Sequence, residues 1–326
     1  MKITGLARTT LAVLALLSLN MPFASEAPAL PCIGVIPAGS GHVFWREVER
    51  GARRAGQTLG VEIYFRGPSE DNALQAQRSV IDIIARKACV ALVLAPAGPA
   101  LSEDVTKLRE RGIPTIHIDR SYDGEVVAGV VATDNYQAGV LAGKLMVSLL
   151  PPGAAVGLLR LQKGISSTDA REAGFVAAVS QGGLRVVLET ELGPKVGEAR
   201  VRTVNALSVA PADLAGVFAP NESSTAAAVA AMRKTGLAGR VKLIGFDINR
   251  TLLDGVRAGD VHALIVQRPE QMGYEGVMRA WAATRAQGKA PDAVPRVDTG
   301  TFVVDAARID SAAMRDALAP YLHSPR

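Results

Sequence analysis

The sequence predicts an α/β protein built as two similar doubly wound parallel-sheet lobes. Three observations predict it. Strand-like and helix-like segments alternate along almost the whole chain, as parallel βαβ units require. The strand-like segments, such as 32–37 and 89–95, are continuous apolar runs, which suits strands covered by helices on both faces. The composition is 48% hydrophobic but only 4% aromatic, which suits helices packed on parallel sheets better than an all-β fold. A chain of 326 residues is long enough for two domains of ordinary size.

Residues 1–29 read as a targeting segment. Lys2 and Arg8 supply its positive region, and the apolar stretch that begins near Thr10 is too short to span a bilayer with these flanks. The small residues Ala24, Ser25, Ala27 and Ala29 place cleavage between 24 and 30. The mature chain is expected to be exported without stable membrane insertion.

The chain has two cysteines, Cys32 and Cys89. Pro31 and the distance from the apolar stretch argue against Cys32 as a lipid anchor. Both cysteines open strand-like runs. If those strands are neighbours, the thiols can pair in an oxidising compartment. Otherwise they are two small buried hydrophobes. The sequence leaves both readings open.

The first strand, 32–37, leads through a Gly-rich loop at 38–41 into a helix with Val48, Ala52, Ala55 and Leu59 on one face. A strand at 61–65, a helix at 72–87 and a strand at 89–95 follow, the last stopped by Pro96. A helix at 101–111 and strands at 114–119 and 126–131 complete the first half. The alternation restarts with a helix at 136–149, broken by Pro151, Pro152 and Gly153. Strands are expected at 155–161, 186–189, 215–219, 242–247 and 262–267, with helices at 168–180, 198–207 and 223–234 between them. A helix at 270–286, a connection containing Pro291 and Pro295, a strand at 301–304 and a helix at 311–322 close the chain.

Motifs for catalysis and cofactors fail. Gly39-Ser40-Gly41 lies between a strand and a helix, but the third glycine of a dinucleotide fingerprint falls at Phe44. No phosphate-binding lysine motif or nucleophile elbow is present. The four histidines have no metal-ligand spacing, and His117 reads as a core histidine. Neither enzyme, cofactor nor metal site is expected. The net charge of +5 is scattered, with no dense basic run, so nucleic acid is not an expected partner.

Hydrogen-bonding residues do recur where strands end: Asp119, Arg120, Asn221, Asp247 and Gln267. In parallel sheets, ligands bind at the carboxyl ends of strands. Carboxylates accept from hydroxyls, a guanidinium donates in a planar fork, and a carboxamide does both, so the set suits a polyhydroxylated ligand. Phe44 and Trp45, just after the first strand, can supply an apolar face to a sugar ring.

Phe44-Trp45 with Gly51-Ala52, Ile118-Asp119-Arg120, Thr133-Asp134-Asn135, Arg171 with Gly174-Phe175, Phe218 to Asn221, Gly245-Phe246-Asp247, and Gln267 with Pro269, Gln271 and Gly273 occur in one order. In that order and spacing, the chain resembles the ribose-binding-protein type of periplasmic sugar-binding protein. These are the solute receptors of bacterial sugar ABC importers, related to the ligand-binding core of lactose-repressor-type regulators. The resemblance covers about 32–304.

It implies a periplasmic, monomeric protein whose lobes comprise 32–133 plus 268–297 and 134–267 plus 298–326. The chain would cross between them three times, in a hinge that closes on a monosaccharide. Phe44 and Trp45 would pack on the ring, Asp119 and Arg120 would bind hydroxyls or the ring oxygen, and Arg171, Asn221 and Asp247 would bind the remaining hydroxyls. Gln267 would sit at a crossover. Importer permease subunits would be transient partners. A role as a sugar or autoinducer sensor subunit, signalling to a chemoreceptor or sensor kinase, is the alternative. A repressor is argued against by the targeting segment and by the lack of a DNA-binding helical segment before Cys32.

Three departures stand out. His42-Val43 replaces the Asn-Pro expected before the aromatics, and His42 is the ninth candidate ligand residue, since its imidazole can still hydrogen-bond the ligand. The loop Leu192-Gly193-Pro194-Lys195 lacks an expected aromatic. The chain also continues beyond Val304 with a helix that the resemblance gives no role.

Overall fold

A computed structural model describes residues 1, 30–70, 72–124, 126–193, 195–285 and 294–322. Residues 2–29 of the expected targeting segment, Pro291 and Pro194 lie outside the described residues.

The first half of the chain runs β1 (Cys32–Ile36), α1 (Val43–Leu59), β2 (Glu62–Phe65), α2 (Leu74–Arg86), β3 (Ala91–Leu94), α3 (Ser102–Glu110), β4 (Thr115–Ile118) and β5 (Gly129–Ala132). The second half repeats the scheme. It runs α4 (Asn135–Leu149), β6 (Ala155–Arg160), α5 (Ser166–Gln181), β7 (Arg185–Glu191), α6 (Val196–Ser208), β8 (Leu214–Phe218), α7 (Glu222–Thr235), β9 (Lys242–Phe246), α8 (Arg250–Ala258) and β10 (Ala263–Gln267). The remainder is α9 (Pro269–Thr284), β11 (Arg296–Asp298), β12 (Thr301–Asp305) and α10 (Ala312–Leu322).

These strands form two six-stranded sheets, ordered β11-β5-β4-β3-β1-β2 and β12-β10-β9-β8-β6-β7. All neighbours run parallel except β12, which lies antiparallel on β10 at a sheet edge. The central strands are covered on both faces: every residue of β1 and β3 is buried, which explains their unbroken apolar sequence. The chain passes from the first sheet to the second after Ala132, returns after Gln267 and crosses again after Asp298.

Two helix crossings anchor the layers. Helix α9 packs on α1 beside the first sheet, and α4 packs on α5 beside the second. Both crossings are built on reciprocal glycines. A Cβ on Gly51 would land on the Glu270 carbonyl oxygen, and one on Gly273 would land on that of Val48. In the other crossing, Gly139 faces the Arg171 carbonyl and Gly174 that of Tyr136. Helix backbones approach this closely only where side chains are absent.

Cys32 and Cys89 form a disulfide, with Cα atoms 4.3 Å apart, and no free cysteine remains among the described residues. Cys32 opens β1 and Cys89 lies two residues before β3, its sheet neighbour, so adjacency brings the sulfurs together.

Several boundaries differ from the sequence reading. The expected strand at 126–131 begins only at Gly129, and Val126 is exposed. The expected helix at 72–87 begins at Leu74, because Asn72 has φ 61° and cannot continue a right-handed helix. Strand β11 was not expected. It has only three residues, two of them charged, and it owes its place to pairing with β5. Among the described residues, no helix is long and apolar enough to cross a membrane.

Candidate functional site

The site grows from the fourth strand of each half. β4 delivers Asp119 and β9 delivers Asp247, and these two residues share an unusual conformation, with φ 64° and 61°. Aspartate tolerates the left-handed region better than most residues, and such strain gathers at functional positions. Each backbone N–H still donates to the next strand, from Asp119 to Val131 at 3.1 Å and from Asp247 to Ile265 at 2.8 Å. The twist therefore turns the carboxylate out of the sheet without breaking the ladder, and both carboxylates reach one cleft between the sheets.

All nine residues singled out from the sequence line that cleft: His42, Phe44, Trp45, Asp119, Arg120, Arg171, Asn221, Asp247 and Gln267. The space there that a water molecule's centre can reach is small, ≈ 50 Å³. Phe44 and Trp45, at the start of α1, meet edge to face with ring centroids 4.7 Å apart. Arg120 Nε donates to Asp119 Oδ2 at 2.8 Å and Nη1 donates to Asn72 Oδ1 at 2.6 Å.

Arg171, from α5, is 2% exposed. Its Nε donates to Asn135 Oδ1 at 2.8 Å and Nη1 to the Pro220 carbonyl at 2.9 Å, while the guanidinium lies 3.9 Å over the Phe246 ring. Burial lowers its pKa, and the carboxylates of Asp247 and Asp119 oppose that. Gln267 Nε2 donates to Asp247 Oδ1 at 3.0 Å. Burial pushes Asp247 up to about 6, against the pull of Arg171 and the Gln267 hydrogen bond.

That shift carries a sign. The unfolded carboxyl titrates near 3.8 and the folded one near 6, so between these values the folded protein holds more protons. The contribution of Asp247 is therefore fully favourable below about pH 4 and is lost as pH rises through 6. We expect ligand-free Asp247→Asn to gain melting temperature over the parent across pH 4 to 6 and to keep that margin at pH 7. Thermal unfolding of both proteins over this pH series checks it.

Asn221 has a divided role. It is the N-cap of α7, its Oδ1 accepting from Ser224 N at 3.1 Å in a reciprocal capping box. Only part of its hydrogen-bonding capacity is left for the cleft. Leu192, in the loop that lacks the expected aromatic, is fully buried in the core beside the second sheet and does not line the cleft, whereas Leu161 does. Val43 packs into that same core although it opens α1, so the His42-Val43 departure ties the two halves together.

Sequence reasoning missed Asn72, Ser167, Thr168 and Glu222, which also line the cleft. Glu222 falls just before the helix expected at 223–234, and the structure places it in the first turn of α7, a common stabilising placement for an acid. The terminal helix α10 buries Leu318 and Tyr321. Tyr321 borders a void of ≈ 10 Å³ behind the cleft, shared with Phe44, Asp247 and Gln267. No cluster of metal-ligating residues occurs among the described residues.

Three buried polar atoms at the cleft residues lack a hydrogen-bond partner: Arg171 Nη2, Gln267 Oε1 and Glu222 Oε2. One is a donor and two are acceptors, and an aromatic pair lies beside them. Such atoms are costly to bury alone. A ligand rich in both donors and acceptors, with an apolar face, satisfies them.

Comparison with known proteins gives concordant matches. The family model described as a periplasmic binding protein domain matches residues 33–290. The D-ribose/D-allose-binding protein of Pseudomonas aeruginosa is 27% identical over 271 residues, spanning 78% of this chain and 83% of that protein. The ribose import binding protein of Bacillus subtilis is 28% identical over 243 residues, 74% of this chain and 77% of the relative. Among solved structures, the periplasmic component of an ABC-type sugar transport system from Hahella chejuensis is 33% identical, with a TM-score of 0.79. The match covers 84% of this chain and 100% of that one. An ABC transporter solute-binding protein from Agrobacterium vitis, bound with α-D-tagatopyranose, is 25% identical with a TM-score of 0.81, covering 90% and 100%.

Proposed function

Since the chain belongs to the periplasmic binding protein domain family, in its ribose-type, sugar-binding branch, we propose that it captures a monosaccharide in the cleft and delivers it to a sugar ABC importer. The observation that carries this reading is the set of unpartnered buried atoms, Arg171 Nη2, Gln267 Oε1 and Glu222 Oε2, beside the Phe44-Trp45 pair. A sugar supplies donors, acceptors and a C–H face at once. Asp119 and Arg120 from one side, and Arg171, Asn221 and Asp247 from the other, bind its hydroxyls. The three connections after Ala132, Gln267 and Asp298 act as the hinge between a first lobe of 32–133 plus 268–297 and a second of 134–267 plus 298–326. The protein works in the periplasm, makes and breaks no bond, and meets the permease transiently.

The test is a thermal-shift and calorimetry screen of the mature protein against pentoses, hexoses, deoxysugars, polyols and furanose autoinducers. A binder should raise the melting temperature in proportion to the logarithm of its concentration above Kd. If every sugar fails while a non-carbohydrate binds at micromolar affinity, the proposal falls.

A further inference from the structure

We infer that Glu222 is a specificity-determining ligand residue of this cleft, which accepts a hydrogen bond through Oε2 from a donor group of the ligand, a hydroxyl or an ammonium, and turns away ligands that carry a carboxylate. The inference rests on the sugar-binding reading and adds a residue and a charge preference to it.

Glu222 is the first residue of α7, directly after the Asn221 cap, and is only 8% exposed. Its Oε1 accepts from Asn249 Nδ2 at 3.0 Å, the cap residue of α8. That bond fixes the carboxylate plane and leaves Oε2 buried, without a partner, in a residue that lines the cleft. A buried carboxylate oxygen with no donor is strongly disfavoured. Retaining one there makes physical sense where a ligand supplies the donor.

The charges of the cleft point the same way. Asp119 is paired with Arg120 at 2.8 Å, and Arg171 is drawn to Asp247 and Asp119. Neither guanidinium is paired with Glu222. The imidazole of His42 comes within 3.8 Å of Oε1 through Nδ1, beyond hydrogen-bond length, and is a counter-charge only when protonated. Three carboxylates therefore face two guanidiniums, and the excess negative charge sits at the Glu222 end. An incoming donor is favoured at that end, and an incoming carboxylate meets like charge in a water-poor site. His42 comes from the N-terminus of α1 on the opposite wall, so it positions Glu222 only when the walls are close.

The test measures binding by calorimetry for the parent, Glu222→Gln and Glu222→Ala. The ligands are the best neutral sugar from a pentose and hexose panel, its amino-sugar analogue and its uronic acid. For the parent, the uronate should bind at least roughly tenfold more weakly than the neutral sugar. Glu222→Gln should lose about tenfold or more for the neutral or amino sugar, as expected for a hydrogen bond to a charged group. It should also narrow the gap to the uronate. A larger loss for the amino sugar than for the neutral one identifies the donor as an ammonium, and equal losses identify a hydroxyl. Equal affinities for parent and variants, or equal binding of uronate and neutral sugar by the parent, overturn the inference while leaving the sugar reading intact. Failure of every sugar with the parent overturns both. Ligand-free melting curves give an independent readout: Glu222→Gln should melt at or above the parent temperature, and a marked fall would assign Glu222 to structure alone.

Discussion

Asp119→Ala should weaken ligand binding by at least about 2 kcal/mol, roughly thirtyfold. Asp119 is 4% exposed, and its Oδ2 takes the Nε hydrogen bond of Arg120. Truncation removes one ligand acceptor and also frees Arg120, which then keeps only Asn72 as the side-chain partner described here. The guanidinium can swing toward Asn72 and lose its register against the ligand. A second effect is local to the backbone. Position 119 has φ 64°, which alanine tolerates less well than aspartate or asparagine. Asp119→Asn separates the two, since it keeps the backbone preference and the shape while removing the charge. Calorimetry on both variants, with the sugar that most raises the parent melting temperature, checks the expectation. If both bind like the parent, the ligand does not touch this end of β4.

Gly139→Ala should be strongly destabilising, costing about 3 kcal/mol or more. The added Cβ would fall on the Arg171 carbonyl oxygen, with the carbonyl carbon and Cα of Arg171 close behind. All three are backbone atoms of a helix and cannot turn aside as a side-chain tip can. The only relief is separation of α4 from α5, which displaces Arg171 itself. Binding should therefore fall along with stability. Gly197→Ala is the control: it lies in α6, where a Cβ meets nothing within 4 Å, and it should be neutral to slightly stabilising. Urea unfolding with both variants, followed by calorimetry on whatever remains folded, distinguishes the two outcomes. A Gly139→Ala protein as stable as its parent would mean that the crossing yields more easily than its geometry implies.

Much of the fold was legible because burial on both faces leaves a plain trace: β1 and β3 read as unbroken apolar runs and are fully covered. Edges were less legible. β11 carries Arg296 and Asp298 and exists through pairing with β5, a tertiary cause that no local pattern records. The site was legible where a polar residue interrupts an apolar strand end, as Asp119, Asp247 and Gln267 do. It was illegible where a second explanation masked the first. Asn72 looked like a helix start, but its positive φ sets it apart from the helix and within reach of Arg120. Glu222 fell just before the helix expected at 223–234, where a single acid draws no notice, and the structure makes it the first residue of α7. The cysteine pair stayed ambiguous because sequence spacing does not orient two thiols, whereas strand adjacency does.

The glycine crossings carry one more consequence. Gly51 is the ninth residue of α1 and Gly174 the ninth of α5, while Gly273 and Gly139 are each the fifth residue of α9 and α4. The two crossings are thus one joint made twice, with interchangeable parts. Helix α4 follows β5 in sequence just as α9 follows β10, and each carries the same half of the joint. Residues up to Leu149 thus hold one helix of each kind, α1 and α4, and each finds its complement only in the later part of the chain, in α9 and α5. The crossover helices are the couplings by which two equivalent units are spliced into one.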